Sequence, residues 1–379
     1  MGRLAEERAR MRIAGLATRG GDLVSLWREA TEVIAPLVPH MHSPCWFTLD
    51  PASLLATSHY EQGIPEIPPE WLVHEYAVDD ALKMDAVARS PRGAATLHEA
   101  TGGDPSASIA WTLYMQPYGA EQELLVALRT PAGDTWGMLG LYREPGDPVF
   151  SEGEIGFLRA VAPDLAAGVR RALLIGEAAD GDGPDAPGVV VLDTSGGVAS
   201  TTPAGERWLA LLPGGGPDGP LPAAVRAVAG RALLADRDHP AVARVRTVDG
   251  RWVLLHGAEM EVEGRRRAAV IVEPAHPARI SPLLMAAYGL TSRERDVTRL
   301  VLQGRSTDEI AADLVVSPHT VQQHLKSVFE KTGVRSRREL VAGVFFAHYE
   351  PRLRDNERRV GRGAPVRGGP VAAPRPGPV

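Results

Sequence analysis

The residues that most constrain the fold of this chain are four helix-start signals between positions 290 and 343. Three have the S/T-x-x-E spacing of a capping box, in which a hydroxyl and a carboxylate satisfy N–H groups at the start of a helix. They are Thr291–Glu294, Ser306–Glu309 and Ser336–Glu339. The fourth is Ser317-Pro318, an N-cap hydroxyl followed by proline at the first helical position. Gly304 and Gly333 stand where helix ends favour a left-handed residue, so four short helices joined by tight turns are predicted.

Apolar residues recur at helical intervals in each predicted helix, which gives every helix one face for a shared core. In chain order the four faces are Val297, Leu300 and Val301; Ile310, Ala311 and Leu314; Val321, Leu325 and Val328; and Leu340, Val344 and Phe345. A tight turn at residues 314–316 separates the second helix from the longer third one, which is the helix-turn-helix arrangement. In that arrangement the second helix of the pair enters the DNA major groove.

The motifs of this segment resemble the LuxR/NarL/FixJ-type helix-turn-helix domain. The matching stretches are LTSRE from Leu290, G-x-S-x-x-EIA-x-x-L from Gly304, S-x-x-TV-x-x-H from Ser317 and K-x-GV-x-x-R from Lys331. The resemblance implies an all-α, four-helix DNA-binding domain, predicted at residues 285–348, that binds DNA as a homodimer.

The resemblance also implies which side chains meet DNA. The predicted DNA-binding set is Ser317, Thr320, Gln322, Gln323, His324, Lys326, Lys331 and Arg335. By position in the family motif, Gln322, Gln323 and Lys326 face the groove, and the others lie nearer the DNA backbone. The alternative for His324 is a solvated or packed side chain, and for Arg335 a solvated charge cluster.

Two positions depart from the family pattern. The residue after the Thr-Val pair is commonly lysine, whereas this chain has Gln322. Glutamine can bond bidentately to adenine but cannot neutralise a phosphate or favour guanine as lysine can. The second departure is Thr332 in place of leucine, interpreted as a cap adjustment. The base preference of relatives that have lysine at the position of Gln322 is therefore not assumed for this chain.

Charge is unevenly distributed along the chain. Residues 1–284 carry 25 basic and 37 acidic side chains, residues 285–348 carry nine and seven, and the tail from Arg352 carries seven and two. Two of the three lysines, Lys326 and Lys331, lie in the third predicted helix. An acidic front with a basic end favours DNA as a partner of that end. The Pro/Gly-rich tail is predicted to be disordered.

The length ahead of the helix-turn-helix segment predicts further domains. No run of 18 uncharged apolar residues occurs, and the first residues lack the apolar stretch of a signal peptide, so no membrane segment is expected. Cys45 is the single cysteine, which excludes intramolecular disulfides and suits a reducing cytoplasm. A cytoplasmic location is therefore expected.

Residues 22–175 are predicted to form one α+β domain. The expected elements are helices at 22–37 and after the Ser151–Glu154 capping box, and strands at 46–49, 54–58, 123–128 and 136–143. This order, with W-G-x-L-x-L-x-R from Trp136 and A-P-x-L from Ala162, resembles a GAF domain. The resemblance implies a sensory fold without naming a ligand, because such domains bind cyclic nucleotides, tetrapyrroles, small aromatics or nothing.

Residues 188–275 are predicted to form a smaller α+β domain. The expected elements are strands at 188–193, 242–247, 252–256 and 268–273 and a helix at 204–211. The order and the VVVLD…GGV opening resemble a PAS-type domain, with a dimerising or signal-relay module as the alternative to a ligand-binding one. The remaining predicted segments are an N-terminal helix or linker at 1–21, linkers at 176–187 and 276–284, and the tail at 349–379.

Motifs for catalysis and for cofactors are not found: a P-loop, a dinucleotide-binding glycine pattern, a G-x-S-x-G elbow and a receiver domain are all missing from the sequence. The His40-x-His42-x-x-Cys45 cluster offers three metal-type ligands without a fourth, so a loop entering a strand is favoured over a metal site. The chain is thus predicted not to be an enzyme, to hold no metal, and to have an unknown cofactor, if any.

These features predict a multidomain bacterial transcription regulator with GAF-like and PAS-like α+β sensory domains ahead of an all-α helix-turn-helix domain. The predicted partners are double-stranded DNA, a second copy of the chain, RNA polymerase and a small-molecule ligand of either front domain. The alternative is a constitutive DNA binder whose front domains only dimerise or bind protein partners.

Overall fold

The computed structural model describes residues 2–19, 21–61, 68, 70–174, 184, 186–216, 219–234, 239–275 and 288–341. The chain divides into two compact units: residues 1–176 with 186–274, and residues 177–185 with 275–379. The first unit contains two α+β domains and the described part of the second unit is helical, so the predicted multidomain fold class is confirmed. The predicted tail lies outside the described residues, as do most residues of the two predicted linkers.

The first α+β domain is built around a five-stranded antiparallel sheet of order β2-β1-β5-β4-β3. Its strands are β1 (Met41–Leu49), β2 (Ala56–Tyr60), β3 (Ala94–Thr96), β4 (Gln122–Arg129) and β5 (Thr135–Arg143). Its helices are α1 (Arg3–Arg19), α2 (Leu23–Ile34), α3 (Glu70–Ala77), α4 (Met84–Arg89), α5 (Leu97–Ala100) and α6 (Glu152–Leu174), with short helical turns at Pro105–Ala107, Trp111–Met115 and Gln116–Tyr118.

Local signals explain several of these elements. The Asp22 carboxylate accepts the Ser25 N–H and starts α2, and Ser151 and Glu154 form the reciprocal hydrogen bonds of a capping box at the start of α6. Both predicted hairpins are present, β1 with β2 and β4 with β5. Strand β1 starts at Met41, before the predicted start at residue 46, because Met41 already pairs with Tyr142 of β5.

The second α+β domain contains a sheet of order β7-β6-β10-β9-β8, which is the same order as in the first domain when the strands are counted within each domain. Its elements are β6 (Gly188–Leu192), β7 (Val198–Thr201), α7 (Pro203–Leu211), α8 (Ala223–Leu233), β8 (Val242–Arg246), β9 (Trp252–Val262) and β10 (Arg265–Pro274). Helix α8 was not predicted. Most of its residues are buried, including polar Arg231, so it lacks the amphipathic pattern by which surface helices are recognised.

The two α+β domains share one apolar core, and α3 packs closely against α8. A Cβ atom on Gly230 of α8 would lie 2.3 Å from the Val73 carbonyl oxygen of α3, so glycine permits this close approach. Two ion pairs join the domains, with Nη2–carboxylate distances of 2.6 Å for Arg231–Asp85 and 2.5 Å for Arg244–Asp50. Both aspartates and both arginines are largely buried in these pairs.

The described part of the second unit contains α9 (Ser292–Leu302), α10 (Thr307–Leu314), α11 (Pro318–Thr332) and α12, which begins at residue 337 and continues to at least residue 341. The buried core is formed by Leu290, Val297, Val301, Ile310, Ala311, Val321, Leu325, Val328 and Leu340. All but Leu290 belong to the predicted apolar faces; the predicted core residues Val344 and Phe345 lie outside the described residues. Within the described residues, no helix is both long and apolar enough to cross a bilayer.

Candidate nucleic-acid interface

Helix α11 is defined by its two ends. The Ser317 hydroxyl accepts the Thr320 N–H at 3.1 Å, and Pro318 occupies the first helical position. Gly333 adopts a φ of 74° and ends the helix, as the glycine position predicted. Val321, Leu325 and Val328 are buried, with exposed fractions of 4% or less. Because these three residues bury one face of α11 in the core, the opposite face of the helix is exposed to solvent.

That opposite face is polar and carries the three predicted groove residues. Gln322, Gln323 and Lys326 are all exposed. Within the described part of the chain Lys326 forms no ion pair, so its charge is available to a ligand such as a phosphate or a base edge. Gln323 Nε2 lies 3.1 Å from His319 Nε2, which is exposed one helical turn earlier.

Sequence reasoning missed His319. Its position four residues before Gln323 places both on one helix face, and this spacing is the signal that could have identified it. Because the N-terminal residues of a recognition helix meet DNA first, His319 joins the candidate interface.

Lys331 is held away from the open face by Glu294 of α9. Its Nζ lies 2.6 Å from Glu294 Oε2, while the Ser327 hydroxyl donates to Glu294 Oε1 at 2.7 Å. Glu294 is only 4% exposed and also accepts the Thr291 N–H of its own capping box. Desolvation, the largest influence, raises the pKa of Glu294, but the hydrogen bonds and charge of Lys331, with those of Ser327 and Thr291, together lower that pKa to about 2. Lys331 therefore joins α9 to α11.

The other predicted DNA-binding residues lie around the start and end of α11. Ser317 and Thr320 hydroxyl oxygens are 2.8 Å apart within the N-cap. His324 is half-buried, and Arg335 is exposed, with its backbone N–H donating to Glu339 Oε2 at 2.7 Å. The structure thus brings Ser317, Thr320 and the exposed glutamines to the same end of α11.

The turn between α10 and α11 positions the helix pair. Val315 follows α10 with a φ of 55° and is 90% exposed. A β-branched residue in the left-handed region is unusual and strained. The next residue, Val316, packs on the domain core, and its N–H donates to the Ala311 carbonyl at 2.9 Å. The strain at Val315 thus accompanies a short turn with only three residues between the end of α10 and the start of α11.

A separate cleft, partly open to solvent, lies in the first α+β domain. It is lined by Met41, His42, Trp71, Tyr114, Met115, Tyr118, Ala120 and Tyr142. The Tyr114 hydroxyl lies 2.6 Å from His74 Nδ1, which fixes the orientation of that ring. The aromatic, mostly apolar lining is of the kind found in sites for small organic molecules.

Residues 289–344 match the family described as bacterial regulatory proteins, luxR family. Over 52 residues the chain is 56% identical to a putative HTH-type transcriptional regulator of Mycobacterium bovis (strain ATCC BAA-935 / AF2122/97), a segment covering 14% of this chain and 6% of that protein. Over 52 residues it is 42% identical to the spore germination protein GerE of Bacillus subtilis (strain 168), covering 14% of this chain and 70% of that protein.

The front domains have weaker similarities. A bacteriophytochrome structure from R. palustris aligns over 70% of this chain and 62% of its own with 13% identity and a TM-score of 0.25. The four-helix segment, in contrast, has its motifs, caps and core in place and covers more than two thirds of GerE. Through this C-terminal domain, the chain belongs to the luxR family of bacterial regulatory proteins.

Proposed function

We propose that this protein is a sequence-specific, DNA-binding transcription regulator that contacts DNA through α11. The observation that carries the proposal is the exposed polar face of α11, with Gln322, Gln323 and Lys326 pointing away from the buried valine and leucine face. A helix held in this way by a helix-turn-helix core can enter the major groove. The relatives matched by this segment are named as transcriptional regulators, which supports the proposal.

The proposed roles differ among the predicted residues. Gln322, Gln323 and Lys326 meet base edges or groove phosphates, and Ser317, Thr320, His324 and Arg335 lie nearer the DNA backbone. Lys331 contributes indirectly, because its ammonium group is paired with Glu294. We propose the domain boundaries predicted from the sequence, with the DNA-binding domain at 285–348. From the family we also expect that the protein binds two half-sites as a homodimer, interacts with RNA polymerase and is located in the cytoplasm.

The front domains are proposed to make the regulator responsive to a signal. The cleft lined by Trp71, Tyr114, Tyr118 and Tyr142 supports a small, largely apolar or aromatic ligand. A ligand can act only if it binds one arrangement of the regulator better than another. The family relatives are regulators, and no catalytic role is proposed for the front domains.

The DNA-binding role is tested with Lys326→Ala. Full-length protein should lose affinity for both a specific and a random duplex, by about 1–3 kcal/mol if Lys326 meets a base. Fluorescence anisotropy at fixed salt measures both affinities. The matched control is Arg10→Ala, which removes an exposed positive charge from α1 and should leave both unchanged. Unchanged affinity in a folded Lys326→Ala variant would remove Lys326 from the interface.

The second candidate function is a constitutive DNA binder whose front domains only dimerise or bind other proteins. The extensive packing between α3 and α8 favours it, because a rigid front unit can serve as a platform. In that case, protein that has been exposed to bacterial extract before purification should bind the operator with the same affinity as protein that has not. A difference that survives removal of macromolecules but not of small molecules supports the signal-responsive regulator.

A further inference from the structure

We propose that Cys45, His59 and Glu61 form a binding site for a thiophilic divalent cation of the Zn²⁺ type, at the junction of the two α+β domains. This inference goes beyond the proposed DNA-binding function and does not depend on it. Among the described residues, the Cys45 Sγ, a His59 ring nitrogen and a Glu61 carboxylate oxygen all lie within 4.8 Å of one another.

Strand pairing brings these three residues together. Trp46 pairs with Tyr60 and Phe47 with His59 between β1 and β2. Because side chains alternate between the two faces of a strand, Cys45 and His59 lie on the same face as Phe47, and Glu61 follows two residues after His59. The cluster weighed in the sequence, His40, His42 and Cys45, was interpreted as a loop entering a strand and is a different set. His40 uses Nδ1 for the Val38 carbonyl oxygen at 2.7 Å, and neither His40 nor His42 belongs to the group.

The distances suit one ion held by three ligands. Cys45 Sγ lies 3.8 Å from Glu61 Oε2, and His59 Nε2 lies 3.5 Å from the same oxygen. Tetrahedral Zn²⁺ with ordinary bond lengths separates its sulfur, nitrogen and oxygen ligands by roughly 3.4–3.6 Å. Small side-chain movements therefore convert this group into three ligands, and a fourth position stays open for water or an exogenous ligand.

The environment of the His59 imidazole favours metal binding. His59 Nε2 is buried and has no hydrogen-bond partner among the described residues, which is a costly state for a polar atom. The ring stacks on Phe47 with centroids 4.4 Å apart, so its orientation is fixed. Burial, with a smaller effect of the Arg226 charge, lowers the pKa of His59 to about 3, so the neutral, metal-binding form is present at pH 7.

The thiol and the carboxyl group supply the negative charge. Cys45 is fully buried, and burial raises the pKa of its thiol, so without a cation it keeps its proton. When the ion binds, the sulfur–metal bond replaces the S–H bond and the proton leaves to solvent. The resulting thiolate and the Glu61 carboxylate balance the two charges of the ion. A sulfur, nitrogen and oxygen set favours Zn²⁺ over Mg²⁺ or Ca²⁺, which prefer oxygen ligands.

The surroundings of the site place it between the domains. Arg226 of α8, in the second domain, acts electrostatically on both Glu61 and His59. Its positive charge opposes cation binding, so the three ligands must hold the ion against it. On the other side lies Tyr142, part of the lining of the cleft, which lowers the pKa of the Cys45 thiol against the larger effect of burial. A bound ion would therefore connect β1 and β2 to the packing of α8.

The test is titration of the full-length protein with Co²⁺, followed by displacement with Zn²⁺. A thiolate–cobalt charge-transfer band in the near ultraviolet must arise from Cys45, because the chain contains no other cysteine. We expect this band to saturate at one Co²⁺ per chain and to disappear when Zn²⁺ is added. A titration that gives no such band, or Co²⁺ binding without it, contradicts the proposal even before any variant is made.

Variants then identify the ligands. Cys45→Ser should abolish the band, and His59→Gln should weaken Zn²⁺ binding by more than about 100-fold, since loss of outer partners alone costs about 10–100-fold. The control is His256→Gln. His256 also lies beside a carboxylate, 3.6 Å from Glu273, but it does not belong to the group of Cys45, His59 and Glu61. Equal Zn²⁺ affinity in the His59 and His256 variants would overturn the assignment.

Discussion

At the residue scale, the same side-chain type has different roles at positions only five residues apart. Lys326 is exposed and forms no ion pair among the described residues, whereas Lys331 is paired with the buried Glu294. The family motif assigned both to the DNA interface, because sequence spacing does not show which lysine meets a carboxylate from another helix. The capping boxes of α9 and α10, in contrast, follow from local hydrogen bonds and were predicted residue by residue.

The Glu294–Lys331 pair predicts a pH-dependent stability of the C-terminal helices. Because the pKa of Glu294 is lowered from its ordinary 4.5 to about 2 on folding, its contribution is complete above about pH 4.5 and is lost as pH falls towards 2. Its size is on the order of 3 kcal/mol at pH 7. Glu294→Gln should remove this contribution.

Amide hydrogen exchange of peptides from α9 and α11 measures the effect, after correction for intrinsic exchange rates. The seven tryptophans all precede residue 253, so their fluorescence separately monitors the front unit. We expect the wild-type protein to be better protected than the variant at pH 7, with a difference that shrinks between pH 4.5 and 2. A difference that persisted unchanged at pH 2 would show that Glu294 is not the titrating group.

At the element scale, the helices of the C-terminal domain were predicted better than the turns and the buried elements. Helices α9 to α11 have caps, apolar faces and stop residues that agree with one another. Helix α8 has small apolar residues on nearly all sides and was missed, because burial on all faces removes helical periodicity. Nor was the left-handed conformation of Val315 predicted, since valine rarely adopts it.

Val315→Asn should stabilise the turn between α10 and α11. Asparagine tolerates the left-handed conformation that costs valine roughly 1–2 kcal/mol, so a gain of about 1 kcal/mol is expected. Val315 is 90% exposed, so little apolar contact is lost. Hydrogen exchange of α10 and α11 should slow in this variant.

The control for this prediction is Val316→Asn at the neighbouring position. Val316 packs on the core of the domain, so asparagine there should accelerate exchange in the same peptides. If Val315→Asn also accelerates exchange, the strain assigned to Val315 is wrong.

At the scale of the whole molecule, the sequence predicted a multidomain chain with α+β domains ahead of a helical one, but not the contact between the two α+β domains. Gly230, Asp50 and Asp85 carry no sequence signal of an interface, because their partners come from a different domain. The shared core makes the two α+β domains one compact unit. A ligand bound in the cleft of the first domain would therefore act next to a tightly packed neighbouring domain.

Gly230→Ala should destabilise this front unit. The added Cβ would lie 2.3 Å from the Val73 carbonyl oxygen, and such overpacking costs about 1–3 kcal/mol. Urea unfolding followed by tryptophan fluorescence should show a lower midpoint. The matched control is Gly156→Ala in α6, where a Cβ meets nothing within 4 Å and alanine should add up to about 1 kcal/mol. Equal midpoints for the two variants would show that the α3–α8 contact is not tight in solution.

The central claim, that the exposed face of α11 reads DNA sequence, is tested most directly by selection from a random duplex library. Full-length wild-type protein and Gln322→Ala are each used at the same salt concentration. We predict that the wild type enriches an inverted pair of half-sites and that Gln322→Ala relaxes the base preference at one position in each half-site. Enrichment of no sequence by the folded wild type, or of an identical motif by both proteins, would contradict the account.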